Sequence, residues 1–93
     1  MTRQVLQSPL FERQKNHLTR PEINKLDDEV RRIMDDPETG DPKRGDLSGI
    51  YVHKFKMGKK LFLLAYEFSE TEISLLAMGP HENFYRDLKH YLR

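Results

Sequence analysis

The 93-residue sequence contains no cysteine and no tryptophan, and its 16 Lys and Arg nearly cancel its 15 Asp and Glu, leaving +1. Without cysteine there is no disulfide scaffold, no Cys-ligated zinc site and no thiol nucleophile. So small a net charge, with 37% apolar residues, argues against a charge-driven disordered chain. No apolar run approaches the roughly 18–20 residues of a membrane span. The opening MTRQVLQSPLFERQ lacks the apolar segment of a secretion signal. These absences predict a single domain over residues 1–93, cytoplasmic, with no membrane partner. Its core is modest, because a chain of this length buries only about two-thirds of its unfolded surface.

The charge that is present is unevenly spread. Between residues 43 and 60, Lys43, Arg44, Lys54, Lys56, Lys59 and Lys60 face Asp46 alone, and His53 lies among them. Such a cluster can collect phosphates electrostatically. It is equally what a solvated strand face and a Lys-rich turn guarding a sheet edge look like.

Arg3–Gln7 is short with a β-branched centre and predicts a first strand. Ser8 can cap a helix whose first turn holds Pro9, and Leu10, Phe11 and Leu18 carry that helix to about Leu18. Thr19-Arg20-Pro21-Glu22 fits a capping box. Ile23, Leu26, Val30, Ile33 and Met34 then recur on one face of a helix from about Arg20 to Met34, with Asp27, Asp28, Arg31 and Arg32 opposite. Residues 35–46 (DDPETGDPKRGD) hold two prolines, two glycines and no apolar side chain, which predicts a loop. A loop of this length is often functional.

The second half changes period. Ile50, Val52 and Phe55 predict a strand whose alternation breaks near Lys54, and Met57-Gly58-Lys59-Lys60 predicts a hairpin turn. Leu61–Phe68 is the most apolar run and predicts a central strand. After a turn at Ser69–Glu72, Ile73–Met78 predicts a third strand ended by Gly79-Pro80. His81–Leu92 predicts a last helix with Phe84, Tyr85, Leu88, Tyr91 and Leu92 inward. The order β-α-α-β-β-β-α predicts an α+β fold, an antiparallel sheet with helices packed on one face.

Several catalytic templates are missing. There is no phosphate-cradling glycine loop, no dinucleotide fingerprint and no H-E-x-x-H. The four histidines (His17, His53, His81, His90) lack tight ligand spacing, so no metal site is expected. Ser48, Ser69 and Ser74 have no nucleophile-elbow context.

What remains is Lys54 and Lys56, two apart on a strand and so on one face, with His53 on the other unless a bulge intervenes. His81 follows a strand at a helix start, and Tyr85 is one helical turn on. An imidazole, a phenol and two ammonium groups converging on one sheet face would suit RNA phosphodiester cleavage. That reaction needs a base for the 2′-hydroxyl, an acid for the leaving 5′-oxygen and cations for the charge developing on phosphorus. An aromatic ring can also hold an unstacked base. Taken singly, His81 reads as a helix-start residue bonded locally, Tyr85 as packing and the lysines as solvent-facing charge.

Over nearly the whole chain the order and motifs resemble the RelE/ParE superfamily of bacterial type II toxins. The resemblance is carried by Asp46-Leu47-Ser48-Gly49, Lys54-Phe55-Lys56, Leu63-Leu64-Ala65-Tyr66, Leu75-Leu76-Ala77-Met78-Gly79 and His81–Tyr85. It implies a RelE-like, microbial-RNase-like domain and a toxin of a type II toxin-antitoxin system. The activity it implies is ribosome-dependent mRNA endoribonuclease (mRNA interferase) without metal or cofactor. Lys54 and Lys56 would activate the attacking hydroxyl and hold the phosphate, His81 would donate a proton, and Tyr85 would orient or stack on substrate. Lys43, Arg44, His53, Lys59 and Lys60 would bind RNA and ribosome. The partners implied are a cognate antitoxin, the ribosome and mRNA, with operator DNA bound only as the toxin-antitoxin complex. Leu63 departs from the pattern, since ribonuclease members often carry an arginine there. This leaves the alternative of a non-enzymatic ParE-like toxin that binds and inhibits DNA gyrase, and a further reading as an RNA-binding module without activity.

Overall fold

The sequence signals for helix starts are realised in the computed structural model, which describes residues 3–92. Helix α1 spans Pro9–Lys15, with the Ser8 hydroxyl accepting from the Phe11 N–H at 3.0 Å. Helix α2 spans Arg20–Asp35 and opens with the full capping box: Thr19 accepts from Glu22 N–H, and Glu22 accepts from Thr19 N–H. Helix α3 covers His81–Tyr91.

The strands are β1 (Gln4–Gln7), β2 (Asp41–Pro42), β3 (Tyr51–Met57), β4 (Lys60–Phe68) and β5 (Glu72–Pro80). They form one sheet in the order β1-β5-β4-β3-β2. The expected antiparallel sheet holds for β2 through β5, but β1 runs parallel to β5. The β3–β4 hairpin turns at Gly58-Lys59. Gly58 has φ +64°, which puts glycine at the first central position of a tight turn where a side chain would strain the backbone.

The expectation of helices on one face is overturned. α1 and α2 cover one face, where Phe11, Leu26 and Ile33 meet Phe55, Phe62, Leu64, Tyr66, Ile73 and Leu75. α3 covers the other, where Phe84 and Leu88 pack on Val52, Leu63, Ala65 and Ala77. Two apolar layers explain why Leu61–Phe68 reads as a continuous run: a strand buried on both faces needs no polar side chain on alternate positions. They also explain the apparent break near Lys54. β3 alternates regularly, with Val52 beneath α3 and Phe55 beneath α2. At the end of α3, Tyr91 and Leu92 are exposed rather than inward as the periodicity suggests.

A β-bulge lies between β4 and β5. Ala65 pairs with Ala77 and Tyr66 with Leu75, so Leu76 is an extra residue on β5. α1 caps this irregular edge. The Ser8 hydroxyl donates to the Leu76 carbonyl at 2.6 Å, and the Gln14 side-chain oxygen accepts from Met78 N–H at 2.8 Å.

The segment read as a plain loop contains short helical turns at Pro37–Thr39 and Gly45–Leu47 and the two-residue strand β2. It is pinned from below by Tyr66. That buried phenol donates to the Pro37 carbonyl at 2.5 Å and accepts from Gly40 N–H at 3.0 Å. A Cβ on residue 40 would stand 2.5 Å from the phenol oxygen, which is why glycine is needed there.

Candidate functional site

Lys54 and Lys56 lie on the α3 face of β3, in alternation with Val52, and both are exposed. Lys54 stands opposite Leu63 of β4, which stands opposite Gly79 of β5; Lys56 stands opposite Leu61. Phe62 pairs with Pro80, so continuing the register brings Leu61 beside His81. Strands are about 4.8 Å apart, which separates the β3 lysines from the His81 end of β5 by roughly 10 Å at the backbone. His81 is exposed at the first position of α3. With Lys59, Lys60, Leu61, Pro80 and Glu82 it lines an open depression of about 410 Å³. The strand lysines and the imidazole thus lie toward the same end of the sheet, whereas Lys60, paired with Met57, belongs by alternation to the α1/α2 face, and neither strand lysine lines the depression beside His81.

Tyr85 is half-buried one turn along α3, its ring edge-to-face with Phe84 at 5.3 Å. Lys43 Nζ lies over the Tyr85 ring, 5.3 Å from its centroid. Lys43 is held by its N–H to the Ile50 carbonyl at 2.9 Å. The pinned segment therefore reaches two expected site residues, because Asp41 Oδ2 is also 3.8 Å from Lys54 Nζ. Both of those groups are more than half exposed, so the pair contributes little to stability. Its effect is to place an acceptor at the lysine in the position an anionic substrate oxygen would contest. Arg44 is exposed at the start of the Gly45–Leu47 turn.

His53 does not join this set. With no bulge in β3, its ring faces α2, where Nε2 is 2.7 Å from Glu29 Oε1 and the ring stacks near Phe55. Glu29 was missed from the sequence, although the signal was present: it falls between Leu26 and Ile33 on the buried stripe of α2. It is 3% exposed. Its other oxygen accepts from Lys25 Nζ at 2.9 Å. Burial pushes the Glu29 carboxyl up, but hydrogen bonds from His53 and Lys25 outweigh it and hold the group below its usual range.

Leu63 is fully buried under α3. A side chain in that place supplies packing and no charge, so Leu63 adds nothing to cationic stabilisation on this face.

Residues 5–89 match the family described as ParE-like toxin of type II bacterial toxin-antitoxin system. The chain belongs to that family. Among solved structures, this toxin resembles E. coli toxin RelE in the free state, as a doubly substituted mutant: TM-score 0.72, 13% identity, covering 97% of this chain and 93% of that one. It also resembles a chain of the intact E. coli RelBE toxin-antitoxin complex: TM-score 0.68, 13% identity, covering 86% of this chain and 98% of that one. At such identity the likeness is one of fold. No curated protein matches the toxin.

Proposed function

We propose that this toxin is a metal-independent endoribonuclease that cleaves mRNA on the ribosome. The observation that carries the reading is the register of β3, β4 and β5, with Lys54 and Lys56 on the α3 face and His81 exposed at the end of β5. In the reaction the 2′-hydroxyl attacks phosphorus and passes its proton to solvent water. A 2′,3′-cyclic phosphate forms, and the 5′-oxygen leaves as a hydroxyl after gaining a proton. Lys54 and Lys56 hold the phosphate and favour the attacking oxyanion. His81 delivers the proton to the leaving oxygen, a role an imidazole fills near neutral pH. Tyr85 orients or stacks on the substrate base. With Leu63 in the core, charge on the transition state falls to Lys59, Lys60 or a ribosomal group. Lys43 and Arg44 add to the positive surface that docks ribosomal RNA. A cognate antitoxin covers this face, and the pair, rather than the toxin alone, binds operator DNA.

Inhibition of DNA gyrase without catalysis is the second reading, favoured by the ParE-like family match and by Leu63 where an arginine would serve cleavage. The two readings part in the cell. Cleavage predicts a rapid stop in protein synthesis and codon-phased mRNA 5′ ends; gyrase inhibition predicts a DNA-damage response with filamentation. His81→Ala and Lys54→Ala should relieve growth arrest in folded protein. Full toxicity of both variants at equal expression refutes the catalytic assignment.

A further inference from the structure

The buried Glu29–His53 contact lies on the sheet face opposite the site and takes no part in the chemistry above. A buried polar pair of this kind is poor evidence for stability, since apolar residues of similar volume often serve equally well. Its position suggests what else it does. β2 pairs only with Tyr51 and Val52, so β3 loses its outer neighbour at residue 53. His53 is the first residue past that support and the immediate neighbour of Lys54. Beyond it, Phe55 and Met57 bury their side chains beneath α2, but apolar contacts have no direction. The 2.7 Å bond from His53 to Glu29 does, and Glu29 is itself steadied by Lys25 at 2.9 Å, with Arg32 Nε at 3.9 Å.

We propose that Glu29 and His53 form a positioning pair that anchors the open-edged half of β3 to α2 and so fixes where Lys54 and Lys56 stand on the opposite face. Its functional half rests on the cleavage reading; its mechanical half does not. Because successive residues of a strand point to opposite faces, a tilt at His53 carries Lys54 with it. Cleavage is sensitive to such tilts, since a misplacement of about 1 Å can cost on the order of a hundredfold in rate.

The test compares His53→Ala with His53→Gln in the full-length toxin. Truncating His53 leaves Glu29 its Lys25 partner, so the variant retains a satisfied carboxylate. The glutamine keeps a donor near the place of Nε2. Amide hydrogen exchange is the readout, with cleavage of ribosome-bound mRNA measured alongside. His53→Ala should speed exchange at residues 54–57 by about tenfold or more while residues 73–78 of β5 stay protected. Cleavage should fall by about tenfold, and His53→Gln should recover most of both. Unchanged exchange at 54–57, or acceleration equal across β3 and β5, overturns the anchor. Local loosening with undiminished cleavage overturns the positioning role. If the unaltered toxin cleaves no RNA, the function proposed above fails, while the exchange result still decides the anchor. Should His53→Ala not fold, Glu29→Gln, which keeps an acceptor oxygen, against Glu29→Ala poses the same comparison.

Discussion

Tyr66→Phe tests whether one buried phenol holds the segment that borders the site. The substitution removes a single oxygen and leaves the ring among Tyr51, Phe68 and the core beneath α2. It takes the partner from two backbone groups in buried residues, the Pro37 carbonyl and the Gly40 N–H. Each buried polar group left unpaired costs about 1–3 kcal/mol. The low end applies to both, since the freed segment can turn toward water, giving a loss of about 2 kcal/mol. In a domain of this size that lowers Tm by roughly 8–16 °C. The assay is thermal unfolding followed by circular dichroism, with amide exchange at residues 36–46 to locate the loosening. A shift below about 3 °C, or loosening spread evenly through the sheet, refutes the reasoning. Gly40→Ala, whose Cβ would press on the phenol oxygen, should loosen the same segment. The double variant should then cost less than the sum of the two. An alkaline arm adds an independent check. Burial pushes the Tyr66 phenol above its ordinary value of 10.0, with Tyr51, Asp36 and Asp41 adding to the rise against the Gly40 N–H. A raised pKa means that this contribution is complete below pH 10.0 and lost as pH climbs through the folded value. Tyr66→Phe should lack that decline.

Two further outcomes follow from the same geometry. Glu29 sits below its ordinary carboxyl pKa of 4.5, so its contribution is present above that pH and lost as pH falls through the lower folded value. Glu29→Gln should flatten this acid limb in urea titrations from pH 6 to 2, and an unchanged limb counts against the pairing. Ser8→Ala removes a helix cap and the donor to the Leu76 carbonyl at the bulge. It should cost about 2 kcal/mol, near the top of the range for a lost cap. Denaturant unfolding measures this, and a loss under about 0.5 kcal/mol means water replaces both bonds.

The sequence by itself determined the three helices and the four longer strands, though not β2 and the short helical turns between α2 and β3. Local chemistry sufficed where a few neighbouring residues settle the backbone: the Thr19–Glu22 box, the Ser8 cap, the Gly58 turn and the apolar run of β4. It also marked Lys54, Lys56, His81 and Tyr85, because strand and helix periods say which neighbours share a side. Only the tertiary structure decided which layers those sides face. The apolar density of β4 carried the hint that both faces are covered, but periodicity cannot assign α3 to one and α2 to the other. The extra residue at Leu76 is of the same kind. A shift of one residue turns every later side chain over, so this bulge sets which face the Gly79–His81 end of β5 presents. No local rule announces it, because its carbonyl is satisfied by a serine 68 positions away in the chain. The same holds for Glu29 with His53 and for Tyr66 with Gly40, which are partners through packing and strangers in sequence.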